Sequence, residues 1–141
     1  MQTSARNQFL GTVSAVKEGA VNAEVILDIG NGAELAAIIT NDSADHLALE
    51  VGSEAYALVK AQWIILTVET NFKTSARNSL TGTVVRCQEG AVNAEVVIEL
   101  PGGKTVASII TNESVKTLGL KEGLRATAMI KASHIILAVP A

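Results

Sequence analysis

At 141 residues, 48% of them hydrophobic and 18% charged, the chain is more apolar than an ordinary soluble domain, where about a quarter of residues are charged. Aromatic residues make up 3%, so the apolar content is Ala, Val, Ile and Leu, which fill small barrels and sandwiches and offer few ring platforms. A net charge of −3 with scattered Lys and Arg excludes a global field for long nucleic acids. The single Cys87 excludes a disulfide framework, and His46 and His134 stand too far apart for a tight Cys/His metal cluster. No apolar run approaches the ~18 residues of a membrane span. No apolar signal segment follows Met1-Gln2-Thr3-Ser4-Ala5-Arg6, and the expectation is a soluble, cytoplasmic protein.

Residues 9–16 read as an opening strand. From Val21 the pattern alternates: Val21, Ala23, Val25, Leu27 and Ile29 share one face, and Asn22, Glu24 and Asp28 the other. This period of two marks a half-buried strand. Gly30-Asn31-Gly32 supplies a turn, and residues 35–39 a further strand. Thr40-Asn41-Asp42-Ser43 is an N-cap sequence that opens a short helix, expected to stop at Val51-Gly52. Residues 54–60 and 63–68 read as two closing strands.

The whole series then recurs. Thr3-Ser4-Ala5-Arg6-Asn7 returns as Thr74-Ser75-Ala76-Arg77-Asn78, and at this offset residues 3–70 match 74–141 without a gap, with 34 identities in 68 positions. The single domain suggested by length therefore becomes two, 1–70 and 71–141. Asn71, Phe72 and Lys73 alone lie between the matched segments, too few for a flexible tether, so the halves should pack closely. Each half is near the size at which a lone core is marginal. Five strands and one short helix per unit fit a five-stranded Greek-key barrel of the OB type; a sandwich is the alternative. The fold class is all-β with short helices.

Both copies keep Ser4/Ser75, Arg6/Arg77, Asn7/Asn78, Asn22/Asn93, Glu24/Glu95, Thr40/Thr111, Asn41/Asn112, Ser43/Ser114 and Lys60/Lys131. A guanidinium fork, an ammonium and several hydroxyls suit a small tetrahedral oxyanion, and a helix start adds unpaired N–H groups. Each residue also has an ordinary explanation. Thr40 and Ser43 can simply cap their helix, Arg6 can pair with a carboxylate such as Glu24, and Lys60 can be solvated. Asn22 and Glu24 can be the wet face of a strand. Gly19-Ala20-Val21 is either a tight turn or an anion-binding nest.

Taken in order, Thr3-Ser4-Ala5-Arg6-Asn7, Gly11-Thr12-Val13, Glu18-Gly19-Ala20-Val21-Asn22-Ala23-Glu24-Val25, Ile39-Thr40-Asn41-Asp42-Ser43 and Lys60-Ala61, each with its second copy, resemble the Mop family of molybdate-binding domains, also called TOBE-type domains, and most closely its tandem members. The resemblance covers essentially the whole chain. It implies two tandem OB-like five-stranded barrels that assemble six at a time, hence a homotrimer, with molybdate or tungstate held at domain and subunit interfaces and no organic cofactor. Carried over residue by residue, the implied oxyanion ligands are Ser4, Ala5, Arg6, Thr40, Ser43, Lys60 and Ala61, with Ser75, Ala76, Arg77, Thr111, Ser114, Lys131 and Ala132. A second class of site is implied at Gly19, Ala20, Val21 and Asn22 and at Gly90, Ala91, Val92 and Asn93. The copies differ beside the lysines, where Gln62-Trp63 faces Ser133-His134 in the alignment.

Storage and buffering of the oxyanion is the function this implies, with a molybdate-sensing regulatory or interaction subunit as the alternative. With the two repeats filling the sequence, a fused DNA-binding module is not expected. A nucleic-acid-binding OB module is disfavoured, because stacking needs aromatics beside a basic groove and the chain offers Phe9, Tyr56, Trp63 and Phe72. Catalysis has little support: Cys87 stands where the first repeat has Val16, and neither histidine adjoins a nucleophile in sequence.

Overall fold

The computed structural model describes all of residues 1–141. The first repeat forms β1 (Asn7–Glu18), β2 (Asn22–Gly30), β3 (Ala33–Thr40), α1 (Asn41–His46), β4 (Glu54–Val59), a 3-10 turn at Ala61–Trp63, and β5 (Ile65–Thr67). The second forms β6 (Asn78–Glu89), β7 (Asn93–Glu99), β8 (Thr105–Thr111), α2 (Asn112–Leu118), β9 (Arg125–Ile130), a 3-10 turn at Ala132–His134, and β10 (Ile136–Ala138). The architecture is two tandem OB-like units, each an antiparallel five-stranded sheet.

The sheets do not follow the repeats. Their strand orders are β10-β4-β1-β2-β3 and β5-β9-β6-β7-β8, so each unit takes its last strand from the other half. Ile136 pairs with Leu58 and Ala138 with Tyr56, while Ile65 pairs with Met129 and Thr67 with Thr127. The expectation that residues 54–60 and 63–68 both close their own unit holds for β4 and fails for β5. The chain leaves β4 through the 3-10 turn, which lies against β8 of the other unit as its counterpart lies against β3. Trp63 and His134, expected in strands, belong to these turns. One continuous hydrophobic core of 26 buried residues, from Phe9 to Leu137, draws on both halves.

Alternation places Ala23, Val25, Leu27 and Ile29 of β2 inward, at 3% exposure or less. The pattern breaks in β3 and β8, where Leu35-Ala36-Ala37 and Val106-Ala107-Ser108 are buried three in a row. Their outer faces are covered by the other unit, and a small Ala at 36 and 107 admits the neighbouring strand. Close approach also fixes Gly82, where a Cβ would stand 2.2 Å from the Glu99 carbonyl oxygen.

Both helices begin where the cap sequence places them. Thr40 and Thr111 have extended backbone, and their Oγ1 atoms accept the N–H groups of Ser43 and Ser114 at 3.1 and 3.0 Å. The ends come earlier than the expected Val51-Gly52. Ala48 and Gly119 take left-handed φ angles of 52° and 67°. The Leu49 N–H returns to Ala44 O at 3.2 Å and the Leu120 N–H to Val115 O at 3.0 Å, a helix-terminating motif that needs a left-handed residue.

Candidate oxyanion site

The strand exchange decides which candidate residues meet. Ser4 and Ala5 lie with Lys60 in one hollow of about 280 Å³, walled by Thr3, Leu58, Trp63 and Ile136. Ser75, Ala76 and Lys131 form its counterpart of about 270 Å³, walled by Thr74, Trp63, Ile65, Met129 and His134. Thr40 and Ser43 line a different hollow with His46 and residues 133 and 135–137. Thr111 and Ser114 line another with Gln62 and residues 64–66. Ile136 borders both first-repeat hollows, and Ile65 both second-repeat ones. The serine–lysine and threonine–serine parts of each candidate set therefore flank one exposed isoleucine of an exchanged strand, and no single hollow within the chain holds them all.

The donors differ in how free they are. The Thr40 hydroxyl donates to Ser43 Oγ at 2.9 Å, and Thr111 to Ser114 Oγ at the same distance, so Ser43 and Ser114 keep their own O–H for an outside acceptor. The Ala5 and Ala76 N–H groups are held by Thr3 and Thr74 Oγ1 at 3.1 Å, so a bound anion would compete with these hydroxyls. Ala61 and Ala132 are buried to 0 and 2% exposure, leaving them only main chain to present. The Lys60 ammonium lies 5.4 Å from the centre of the Trp63 ring, within the reach of cation–π attraction.

Arg6 and Arg77 are not among the residues lining these hollows. Arg6 pairs with Glu95, and Arg77 Nη1 pairs with Glu24 at 2.5 Å. The ion pair expected for Arg6 is present, but crosswise between the repeats: Glu24 serves Arg77. Arg86 joins Glu95 from the other side at 3.2 Å. The hydrogen bond from Arg77, with its charge and that of Lys17, holds the Glu24 carboxyl below its ordinary range, and Glu24 raises the Arg77 guanidinium in turn.

The candidate second-class segments, Gly19 to Asn22 and Gly90 to Asn93, are the tips of the β1–β2 and β6–β7 hairpins. Gly19 and Gly90 donate within the turn to Asn22 and Asn93 carbonyls at 2.8 and 2.7 Å, so those N–H groups are already spent. Val21 and Val92 project at 69 and 70% exposure. Asn41 and Asn112 tie the tips to the helix starts: their N–H groups reach Val21 and Val92 O, and their side-chain amides reach Gly19 and Gly90 O at 3.0 and 2.9 Å. Gly90 and Asn93 also line a hollow of about 500 Å³ with Arg86, Glu95 and Gln62.

Four participants escaped the sequence reading. His46 joins Thr40 and Ser43 because it stands three residues after Ser43, one turn on along the same face of α1. Ile136 and Ile65 reach their places only through strand exchange. Trp63 walls two hollows, and the signal available was its alignment with His134, which it also touches in space. Burial pushes the Cys87 thiol up, and Glu89 and Glu122 add to the shift.

A tandem pair of five-stranded units with serine–lysine hollows at their exchanged strands defines the class. The chain belongs to the TOBE domain family, whose model matches residues 3–66 and 74–137. Among solved structures it is similar to the cytoplasmic molybdate-binding protein ModG with molybdate bound, at 54% identity and a TM-score of 0.97, covering 99% of this chain and 100% of that one. It is 46% identical to the molybdenum transport protein ModE of Azotobacter vinelandii, over 99% of this chain and 52% of the relative. It is 44% identical to the molybdenum-pterin-binding protein MopA of Rhodobacter capsulatus, over 99% of this chain and 53% of the relative. The chain thus spans about half the length of these curated relatives.

Proposed function

We propose that this chain binds molybdate reversibly, making and breaking no bond in it, and serves to store and buffer the oxyanion in the cytoplasm. The observation that carries the reading is the twofold occurrence of a serine, a lysine in no ion pair and an adjoining main-chain segment in one hollow, in a fold matched over its whole length by ModG with molybdate bound. Charge-assisted hydrogen bonds from Lys60 or Lys131 are the strong contacts, and the Ser4 or Ser75 hydroxyl adds a neutral donor. Tungstate, of the same shape and charge, is the second expected ligand.

The placement of Thr40 and Ser43 beyond Ile136 supports a site completed between copies of the chain, in keeping with a homotrimer. Ligand bound at such a seam stabilises the assembly by mass action. Arg6 and Arg77 serve as ligands only by leaving Glu95 and Glu24, which makes them the weakest members of the proposed set. The Gly19 to Asn22 and Gly90 to Asn93 tips are proposed as secondary seats, through the N–H groups that the turns leave free.

Titration calorimetry with molybdate and tungstate, with sulfate and phosphate as controls, tests the reading. Heat and a raised melting temperature with the first two are expected; neither effect with either anion would refute it. A sensing role is the second reading, favoured by ModE relatives described as transcriptional regulators, in which the matched region is about half of the protein. A pulldown with and without molybdate separates the two, since a sensor binds its partner in only one condition.

A further inference from the structure

Positions 63 and 134 are equivalent in the repeat, and in the folded chain they meet. The Trp63 and His134 ring centres lie 4.8 Å apart with planes tilted by 35°. In a two-fold arrangement, equivalent residues touch only close to the axis, so this contact lies between the two serine–lysine hollows. Trp63 walls both of them, whereas His134 walls only the second. The Lys60 ammonium stands over the indole; Lys131 has an imidazole at the equivalent place. Two hollows that the repeat would make alike are therefore built against different rings.

We propose that Trp63 is a positioning residue that makes the two hollows unequal and links them. Its ring face holds the Lys60 ammonium beside Ser4, and the same ring, in tilted contact with His134, lines the second hollow, a common wall through which filling one hollow is felt in the other. A lysine side chain loses rotamer freedom when it engages an anion. Lys60 has already given up part of that freedom over the indole, so the first hollow is the tighter of the two. The inference rests on the reading that these hollows seat the oxyanion.

The test is molybdate titration of the full chain, followed by calorimetry and by the emission of Trp63, its one tryptophan. Lys131→Ala leaves the first hollow to be measured alone, and Lys60→Ala the second. The first should bind roughly two- to fivefold more tightly, the scale of an exposed cation–π contact. Trp63→His, which gives both repeats the same residue, should abolish that difference, and Trp63→Phe, which keeps a ring under Lys60, should retain part of it. Filling the second hollow in the Lys60→Ala chain should still change Trp63 emission. Equal affinities in the two single-lysine chains, an unchanged difference in Trp63→His, or silent emission in Lys60→Ala would each overturn the proposal. If the unsubstituted chain gives no heat with molybdate, the functional reading beneath it fails instead.

Discussion

The side chain of Asn7 pairs with the main chain of Ala107 as one strand pairs with another: its Nδ2 donates to Ala107 O at 2.8 Å, and its Oδ1 accepts the Ala107 N–H at 2.7 Å. Asn78 does the same with Ala36, at 2.8 and 2.7 Å. Both asparagines are buried to 2% exposure. Each amide completes the outer face of a strand in the opposite unit, and each also donates to its own unit, to Val59 or Ile130 O. With the crossed pairs Arg6–Glu95 and Arg77–Glu24, these contacts fix how the two units sit.

Removing one amide leaves a buried N–H and a buried C=O without partners. Unsatisfied groups of this kind cost about 1–3 kcal/mol each, so Asn7→Ala and Asn78→Ala should each destabilise the chain by about 2–6 kcal/mol. Chemical denaturation checks this through a lowered midpoint. Equal losses from the two substitutions are expected, because the contacts are related by the repeat.

The left-handed residue after each helix gives a prediction of opposite sign. Ala48 holds φ at 52°, where the second repeat has Gly119 at 67°. A side chain in this region costs roughly 1–2 kcal/mol, and a Cβ on Gly119 would meet no neighbour. Ala48→Gly should therefore raise the melting temperature, with part of the gain offset by the greater freedom of unfolded glycine. Gly119→Ala should lower it.

Much of the fold was legible because its signals are local. The Thr40 and Thr111 caps, the alternation in β2 and the turn after it depend on neighbours in sequence. The destination of the last strand was not legible. Ile64-Ile65-Leu66 and Ile135-Ile136-Leu137 are identical triplets, so either could close either unit on pattern alone. The choice rests on the path through the 3-10 turns and the packing of those turns on the opposite unit. The candidate site was legible in the same measure. Ser4 and Lys60 meet because β1 and β4 are neighbours within one repeat, with Asn7 paired to Val59. Thr40 is set apart from them by Ile136, which comes from the other half. Arg6 shows a further limit, since composition could offer Glu24 as partner but could not tell it from Glu95.

Acid should remove the contribution of the Arg77–Glu24 pair. Glu24 is held below its ordinary value of 4.5, so the folded chain binds fewer protons at this group than the unfolded chain, and the contribution grows as pH rises. It is fully present above the unfolded value and disappears as pH falls through the lowered folded value. Denaturation midpoints of the parent and Arg77→Ala chains should differ at neutral pH and converge once Glu24 is protonated. Salt should narrow the neutral-pH gap, because the pair is partly exposed. A gap that persisted in strong acid would assign the effect of Arg77 to packing.

The exposed isoleucines test whether the oxyanion set is completed by another copy of the chain. Ile65 and Ile136 are 63 and 55% exposed in the single chain, so replacing them with neutral polar residues should change the stability of an isolated chain by no more than about 0.5 kcal/mol. If a second copy covers them at the seam between the serine–lysine and threonine–serine hollows, Ile65→Gln with Ile136→Gln places polar groups in a buried contact. Sedimentation should then show a smaller assembly than the parent forms, and molybdate should bind more weakly although Lys60, Lys131, Ser4 and Ser75 are untouched. The substitutions add no charge, so weaker binding could not be assigned to repulsion of the anion. Parent-like mass and affinity in the doubly substituted chain would mean that each hollow seats its oxyanion without a neighbour.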